Sequence, residues 1–91
     1  MRRHARPDAN QGEIVQALLK VGASVLDLHA AGIKGAPDLL AGYHGQDVLI
    51  EIKTQEGRLE PEQCAWHDAW RGHQVAVVRT VDEALQAIGA L

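Results

Sequence analysis

The run Pro37-Asp38-Leu39-Leu40-Ala41-Gly42-Tyr43-His44-Gly45-Gln46-Asp47-Val48-Leu49-Ile50-Glu51-Ile52-Lys53 decides how this chain folds. Two apolar stretches flank Tyr43-His44-Gly45-Gln46, a turn signal, so the run reads as an antiparallel hairpin with strands over 37–42 and 47–53. If the turn centres on His44-Gly45, Gly42 faces Asp47, Leu40 faces Leu49, and Asp38 faces Glu51. Residues opposite one another in an antiparallel pair share a face, with Cβ atoms ~4.5–5.5 Å apart. The other face then carries Leu39, Ala41, Val48, Ile50 and Ile52, all apolar. A slip of one residue would break both patterns together, so the register is specified twice.

Side chains alternate along a strand, which puts Lys53 on the same face as Asp38 and Glu51. Two carboxylates ~5 Å apart repel by about 3 kcal/mol at an effective dielectric near 20. Either one takes up a proton or a cation sits between them. Hard divalent ions such as Mg²⁺ prefer oxygen ligands and keep several waters. An ion there would acidify a coordinated water and make it a nucleophile near neutral pH. Lys53 is placed to orient that water or to stabilise charge developing on a phosphate. The chemistry expected is hydrolysis of a phosphodiester.

Outward from the hairpin, a helix is expected over 11–21, with Asn10 as N-cap, Ile14, Val15, Leu18 and Leu19 at helical spacing, and Gly22 ending it. A strand follows over 24–28 and a Gly-containing loop over 30–35. After Lys53 comes a polar loop over 54–60. Pro61 suits the first position of a helix that carries Trp66, Ala69 and Trp70 toward a core and stops at Gly72. A strand over 74–79 leads to Thr80-Val81-Asp82-Glu83, a capping box opening a last helix with Leu85 and Ile88 inward. The order is α-β-β-β-α-β-α. The β-helix-β crossover makes the last strand parallel to the Glu51 strand, with a right-handed connection. The class is α/β, with a mixed sheet whose antiparallel hairpin carries the candidate site.

The 91 residues make one domain over 10–91, preceded by a flexible basic arm over 1–9 that holds Arg2, Arg3 and Arg6. A hydrophobic fraction of 46% excludes a disordered segment. The single cysteine, Cys64, excludes an intramolecular disulfide and a Cys-rich zinc site, and reads as a buried small residue. The arm has no apolar segment behind it, as a secretory signal would, and no apolar run approaches the ~20 residues that span a bilayer. A soluble intracellular protein is expected, with no membrane and no organic cofactor. The net charge of -3 argues against a polybasic nucleic-acid coat. Arg2, Arg3, Arg6, Lys34 and Arg58 can supply only a local basic rim. Among the histidines, no pair has zinc-ligand spacing. His44 reads as a turn residue, His67 as a helix surface or interface residue, and His29 as closing a strand near the Gly35 loop. Trp66 and Trp70, four apart, read as core or dimer contact.

The strings Gly35-Ala36-Pro37-Asp38-Leu39-Leu40, Glu51-Ile52-Lys53-Thr54, Gly57-Arg58-Leu59, Pro61-Glu62-Gln63 and Val77-Val78-Arg79-Thr80-Val81-Asp82-Glu83-Ala84 together resemble the VRR-NUC family in its short stand-alone form. This is a branch of the PD-(D/E)xK nucleases, and the likeness runs from about Asn10 to the end. The resemblance implies a restriction-endonuclease-like core and Mg²⁺- or Mn²⁺-dependent endonucleolytic cleavage of DNA. It also implies a homodimer acting on branched DNA such as four-way (Holliday) junctions, in phage-type replication and repair. By position it makes Asp38 and Glu51 metal ligands, adds the Ile52 carbonyl as a further ligand, and makes Lys53 the catalytic lysine. It places Gln63 beside the site, and with it Glu13 of the first helix. For Glu13 a helix-capping role is the alternative, since Asn10-Gln11-Gly12-Glu13 is also a capping-box arrangement. One departure is Glu60, where relatives carry Ser or Thr before the proline. The competing expectation is a non-catalytic DNA-binding or assembly module that keeps the nuclease fold.

Overall fold

A computed structural model describes residues 9–91 of the chain. Helix α1 (Gln11–Lys20) is followed by β1 (Ser24–Asp27), β2 (Leu39–Tyr43), β3 (Gln46–Ile52), α2 (Pro61–Ala69), β4 (Ala76–Val78) and α3 (Val81–Ala87). This is the expected order. The loop between β1 and β2 contains a short 3-10 turn at His29–Ala31. The sheet runs β1-β2-β3-β4. β1, β2 and β3 form an antiparallel meander, and β4 lies parallel to β3 with Glu51 beside Val77.

The hairpin register is the one expected from the sequence, through five pairs from Leu39↔Ile50 to Tyr43↔Gln46. Its two turn residues both adopt left-handed backbone, with φ of 49° at His44 and 80° at Gly45. That is the tight turn whose twist matches the flanking strands. The apolar face of the hairpin is sealed: Leu39, Ala41, Ile50 and Ile52 are fully buried, against Ile14 and Leu18 of α1 and Ala84 and Ile88 near α3. Burying each large aliphatic side chain contributes about 1.5–3 kcal/mol, so this layer fixes which sheet face is left for chemistry.

Helix α2 lies against the opposite face, and there the expectation fails. None of its residues is buried, Cys64 is exposed, and Trp70 is 45% exposed. Trp66 and Trp70 stack on each other, ring centroids 4.9 Å apart, instead of entering a core. The reason lies in the helix's composition. What it presents to the sheet is Gln63 and His67, four residues apart, and both meet the polar position Glu51. The helix also stops early, at Ala69, with Trp70 already extended. Gly72 serves a different purpose: a Cβ there would lie 2.8 Å from the Trp70 indole nitrogen.

Helix caps are rearranged around the sheet. Asn10 precedes α1 but makes no side-chain cap. Its Nδ2 instead donates to the carbonyls of Lys53 (3.1 Å) and Arg79 (3.0 Å), tying the helix start to the ends of β3 and β4. The Asn10–Glu13 capping box is therefore not formed. Glu60, in spite of its departure from Ser or Thr, forms a capping box with Gln63. At α3, Thr80 Oγ1 accepts from the Glu83 amide at 3.1 Å. The Glu83 carboxylate reaches the Arg79 amide (2.6 Å), one residue upstream of the box partner expected. No helix among the described residues is long and apolar enough to cross a membrane.

Candidate active site

The strand pairing that should have set Asp38 square against Glu51 ends one step short, at Leu39↔Ile50. Pro37, fully buried, has no N–H to extend the ladder, and β2 starts after it. The Asp38 amide donates to the Ile50 carbonyl (3.0 Å), while its own carbonyl accepts from Leu28 (2.9 Å). Its side chain then replaces the missing rung: Oδ2 accepts from the Ile52 amide at 2.7 Å. Asp38 is thus bonded to the residue between Glu51 and Lys53. The N–H and C=O of one strand residue leave toward the same edge, so the Ile52 carbonyl points to the Asp38 side of β3.

The second oxygen of Asp38 is held by a residue the sequence did not assign. His29 Nε2 lies 2.8 Å from Asp38 Oδ1. The same ring's Nδ1 is 3.1 Å from Asp27 Oδ1, which also accepts the His29 amide at 2.8 Å. The 3-10 turn that starts at His29 places this imidazole over the mouth of the site. Gly35, at φ 84°, lets the chain pass directly against the backbone of α2: a Cβ there would overlap the Glu62 carbonyl.

Glu51 sits inside, with only 1% of its surface exposed. A buried carboxylate is costly unless it is hydrogen-bonded. Gln63 Nε2 donates to Glu51 Oε2 at 3.2 Å, and His67 Nε2 lies 3.4 Å from Oε1. The Gln63 amide cannot turn over, because its Oε1 accepts the Glu60 amide at 2.8 Å in the α2 cap. Helix capping thus aims the Gln63 donor at Glu51. Burial holds the His67 imidazole below its usual value, against the nearby Asp68 carboxylate; Lys53 pushes the same way as burial, and Asp38 opposes it. A carboxylate only accepts hydrogen bonds, so a hydrogen bond from His67 to Glu51 needs the proton on Nε2.

Lys53 is half-buried just past β3, its amide donating to the Val78 carbonyl at 2.9 Å. The other residues singled out in the sequence lie farther out. Glu13 is exposed in the first turn of α1. Lys34, its side chain 80% exposed, pairs loosely with Glu62 at 3.7 Å. Arg58 is exposed in the loop after Lys53. Arg2, Arg3 and Arg6 lie outside the described residues. His67 could have been found from its spacing, one helical turn after Gln63 on the same face. His29 had only its position at a strand end.

Asp38 and Glu51 offer hard oxygen donors, and each of their four oxygens takes part in a polar contact. Carboxylate oxygens are the donors that hard divalent ions prefer, so the donor set fits a hard ion that keeps most of its waters. Among the described residues, no three His, Cys, Asp or Glu side chains are grouped closely enough to hold an ion by themselves.

No family model matches the sequence, and no curated protein sequence does either. A solved structure described as "VRR_NUC domain" matches with a TM-score of 0.68 at 26% sequence identity, over 87% of this chain and 94% of that one.

Proposed function

On the premise that this chain has the VRR-NUC, restriction-endonuclease-like fold, we propose that it is a divalent-metal-dependent endodeoxyribonuclease. The observation that carries the reading is the bond from the Asp38 carboxylate to the Ile52 amide, which gathers Asp38, Glu51 and Lys53 at adjoining strand ends. Asp38, Glu51 and the Ile52 carbonyl would hold Mg²⁺ or Mn²⁺. When bound, such an ion supplies acidification of water and neutralisation of phosphoryl charge. The chain's own groups do the rest. The Ile52 amide and His29 orient Asp38; Gln63 and His67 orient Glu51. Lys53 stabilises negative charge on the phosphate under attack. Glu13 is a secondary candidate, since Asn10 ties the start of its helix to the Lys53 carbonyl.

The DNA backbone would be gripped by Lys34 and Arg58, with the Arg2, Arg3 and Arg6 arm as a further contact. The Lys34–Glu62 pair is exposed and worth little, so a phosphate can replace Glu62 at small cost. Branched DNA such as a four-way junction is the preferred substrate in this reading, which places the protein inside the cell. Cleavage of labelled junction, flap and duplex DNA in Mg²⁺ or Mn²⁺ tests it, beside Asp38→Asn and Lys53→Ala. Loss of cutting in both variants is expected; equal activity in either variant contradicts the assignment. Binding without cleavage under every metal condition would favour a non-catalytic assembly module.

A homodimer would cover the part of the sheet face that α2 leaves open. Leu26, Leu40 and Leu49 lie in line across β1, β2 and β3, with Leu26 56% exposed, and Trp70 stands beside them. Asp47 and His73 line the same groove, and Lys and Arg are not among its lining residues. That suits a second copy better than DNA: a two-fold interface needs one patch that carries both members of each pair. Sedimentation of wild type should give a dimer, with Asp47→Arg and His73→Glu each monomeric and their mixture dimeric again. A wild type that stays monomeric, or a mixture that does not associate, refutes this interface.

A further inference from the structure

Arg79 closes the loop that follows Lys53, although it belongs to the far end of β4. Its Nη1 donates to the Thr54 carbonyl and to the Gly57 carbonyl, both at 2.6 Å. The Arg79 backbone is pinned as well: the amide donates to Glu83 Oε1 (2.6 Å), and the carbonyl accepts from Asn10 Nδ2 (3.0 Å). The same Asn10 amide holds the Lys53 carbonyl. The loop that Arg79 gathers in folds back on the lysine's own stem. A Cβ on Gly57 would lie 3.5 Å from Lys53 Cδ and 3.1 Å from Thr54 Oγ1.

From this geometry we propose that Arg79 is the positioning residue for Lys53. It fixes the 54–57 loop against the lysine's methylenes and so decides where the ammonium stands relative to Asp38 and Glu51. A lysine stem has four rotatable bonds, and only contacts along its length restrict them. Arg79 is suited to the task because a guanidinium is always charged and presents several donors in a fixed plane. It does not touch the reacting phosphate; its effect passes through Thr54 and Gly57. The proposal rests on Lys53 being the catalytic lysine, and its test is chosen to be read without catalysis.

The chain has three lysines, Lys20, Lys34 and Lys53, so each can be followed by ¹³C-dimethyl labelling and NMR. In wild type, the Lys53 methyl signal should relax at least about twofold faster than that of Lys34, whose side chain is 80% exposed. Arg79→Ala should bring the two together. Gly57→Ala, which leaves Arg79 in place but crowds Thr54 and Lys53, should also shift the Lys53 signal. In cleavage assays Arg79→Ala should lower kcat about tenfold with KM within about twofold, and added guanidinium should restore part of the loss. An unchanged Lys53 signal in Arg79→Ala, with only the 54–57 amides moving, overturns the proposal and leaves Arg79 a loop staple. If Arg79→Ala does not fold, Arg79→Lys and Gly57→Ala decide the same comparison. If wild type cuts no DNA, the nuclease reading fails while the NMR comparison still decides this one.

Discussion

Replacing Gln63 by glutamate changes one nitrogen to one oxygen at the point where α2 meets the sheet. The new side chain keeps an acceptor for the Glu60 amide, so the helix cap survives. Its other oxygen, however, takes the place of Gln63 Nε2, 3.2 Å from Glu51 Oε2. Two unit charges at that separation repel by about 5 kcal/mol at an effective dielectric of ~20. The lost hydrogen bond to a charged group removes a further ~1.5–3 kcal/mol. Small movements and uptake of a proton will relieve part of this, so a net loss of about 3–5 kcal/mol is expected near pH 8. For a small domain that is a large share of a total of ~5–15 kcal/mol. Urea denaturation in the presence of a chelator measures it, with Gln63→Met as the variant that loses the bond to Glu51, and the Glu60 cap bond with it, without adding charge. The sign with pH follows from the pair. Repulsion raises the pH at which one carboxyl of the variant takes up a proton, so the deficit shrinks as the pH falls through that point. If Gln63→Glu matches Gln63→Met within about 0.5 kcal/mol at pH 8 and shows no such trend, Gln63 does not face Glu51 and the site is wrongly assembled.

Further perturbations probe the surrounding frame. Gly35→Ala should cost more than about 2 kcal/mol, by thermal or urea unfolding, because it adds left-handed strain at φ 84° to an overlap with the Glu62 backbone. Asn10→Ala removes the donor shared by the Lys53 and Arg79 carbonyls and should cost about 2 kcal/mol, with faster amide exchange at the ends of β3 and β4. Burial holds His67 below the ordinary imidazole value, so its contribution is fully present above that ordinary value and is lost as the pH falls toward the folded-state one. Thermal melts from about pH 5 to pH 8 in chelator should therefore show a stability slope that His67→Gln flattens.

The hairpin was legible because two independent patterns, polar and apolar, fix one register, and the five observed pairs follow it. The parallel placement of β4 beside Glu51 followed from a helix standing between two strands. The last rung, Asp38 opposite Glu51, was not legible, since Pro37 ends the ladder and the carboxylate itself stands in for a backbone acceptor. The role of α2 was legible only through the resemblance, which put Gln63 beside the site: by hydrophobicity Trp66 and Trp70 outweigh Gln63 and His67, yet the buried Glu51 requires the polar pair. Asn10 shows the same limit. A cap residue looks local in sequence, whereas here its amide serves two strand ends that only the fold brings near. His29 and Arg79 act across loops, through bonds that no spacing encodes.

In the proposed reading Asp38, Glu51 and Lys53 form one hydrolytic site for DNA. Its most direct test is cleavage of an end-labelled four-way junction by folded wild type and folded Lys53→Ala, with Mg²⁺, with Mn²⁺ and with chelator. Wild type should cut strands only when metal is present, and Lys53→Ala should fall by at least about 10²-fold with junction binding retained. Cutting that survives the chelator, or a Lys53→Ala variant as active as wild type, would contradict it.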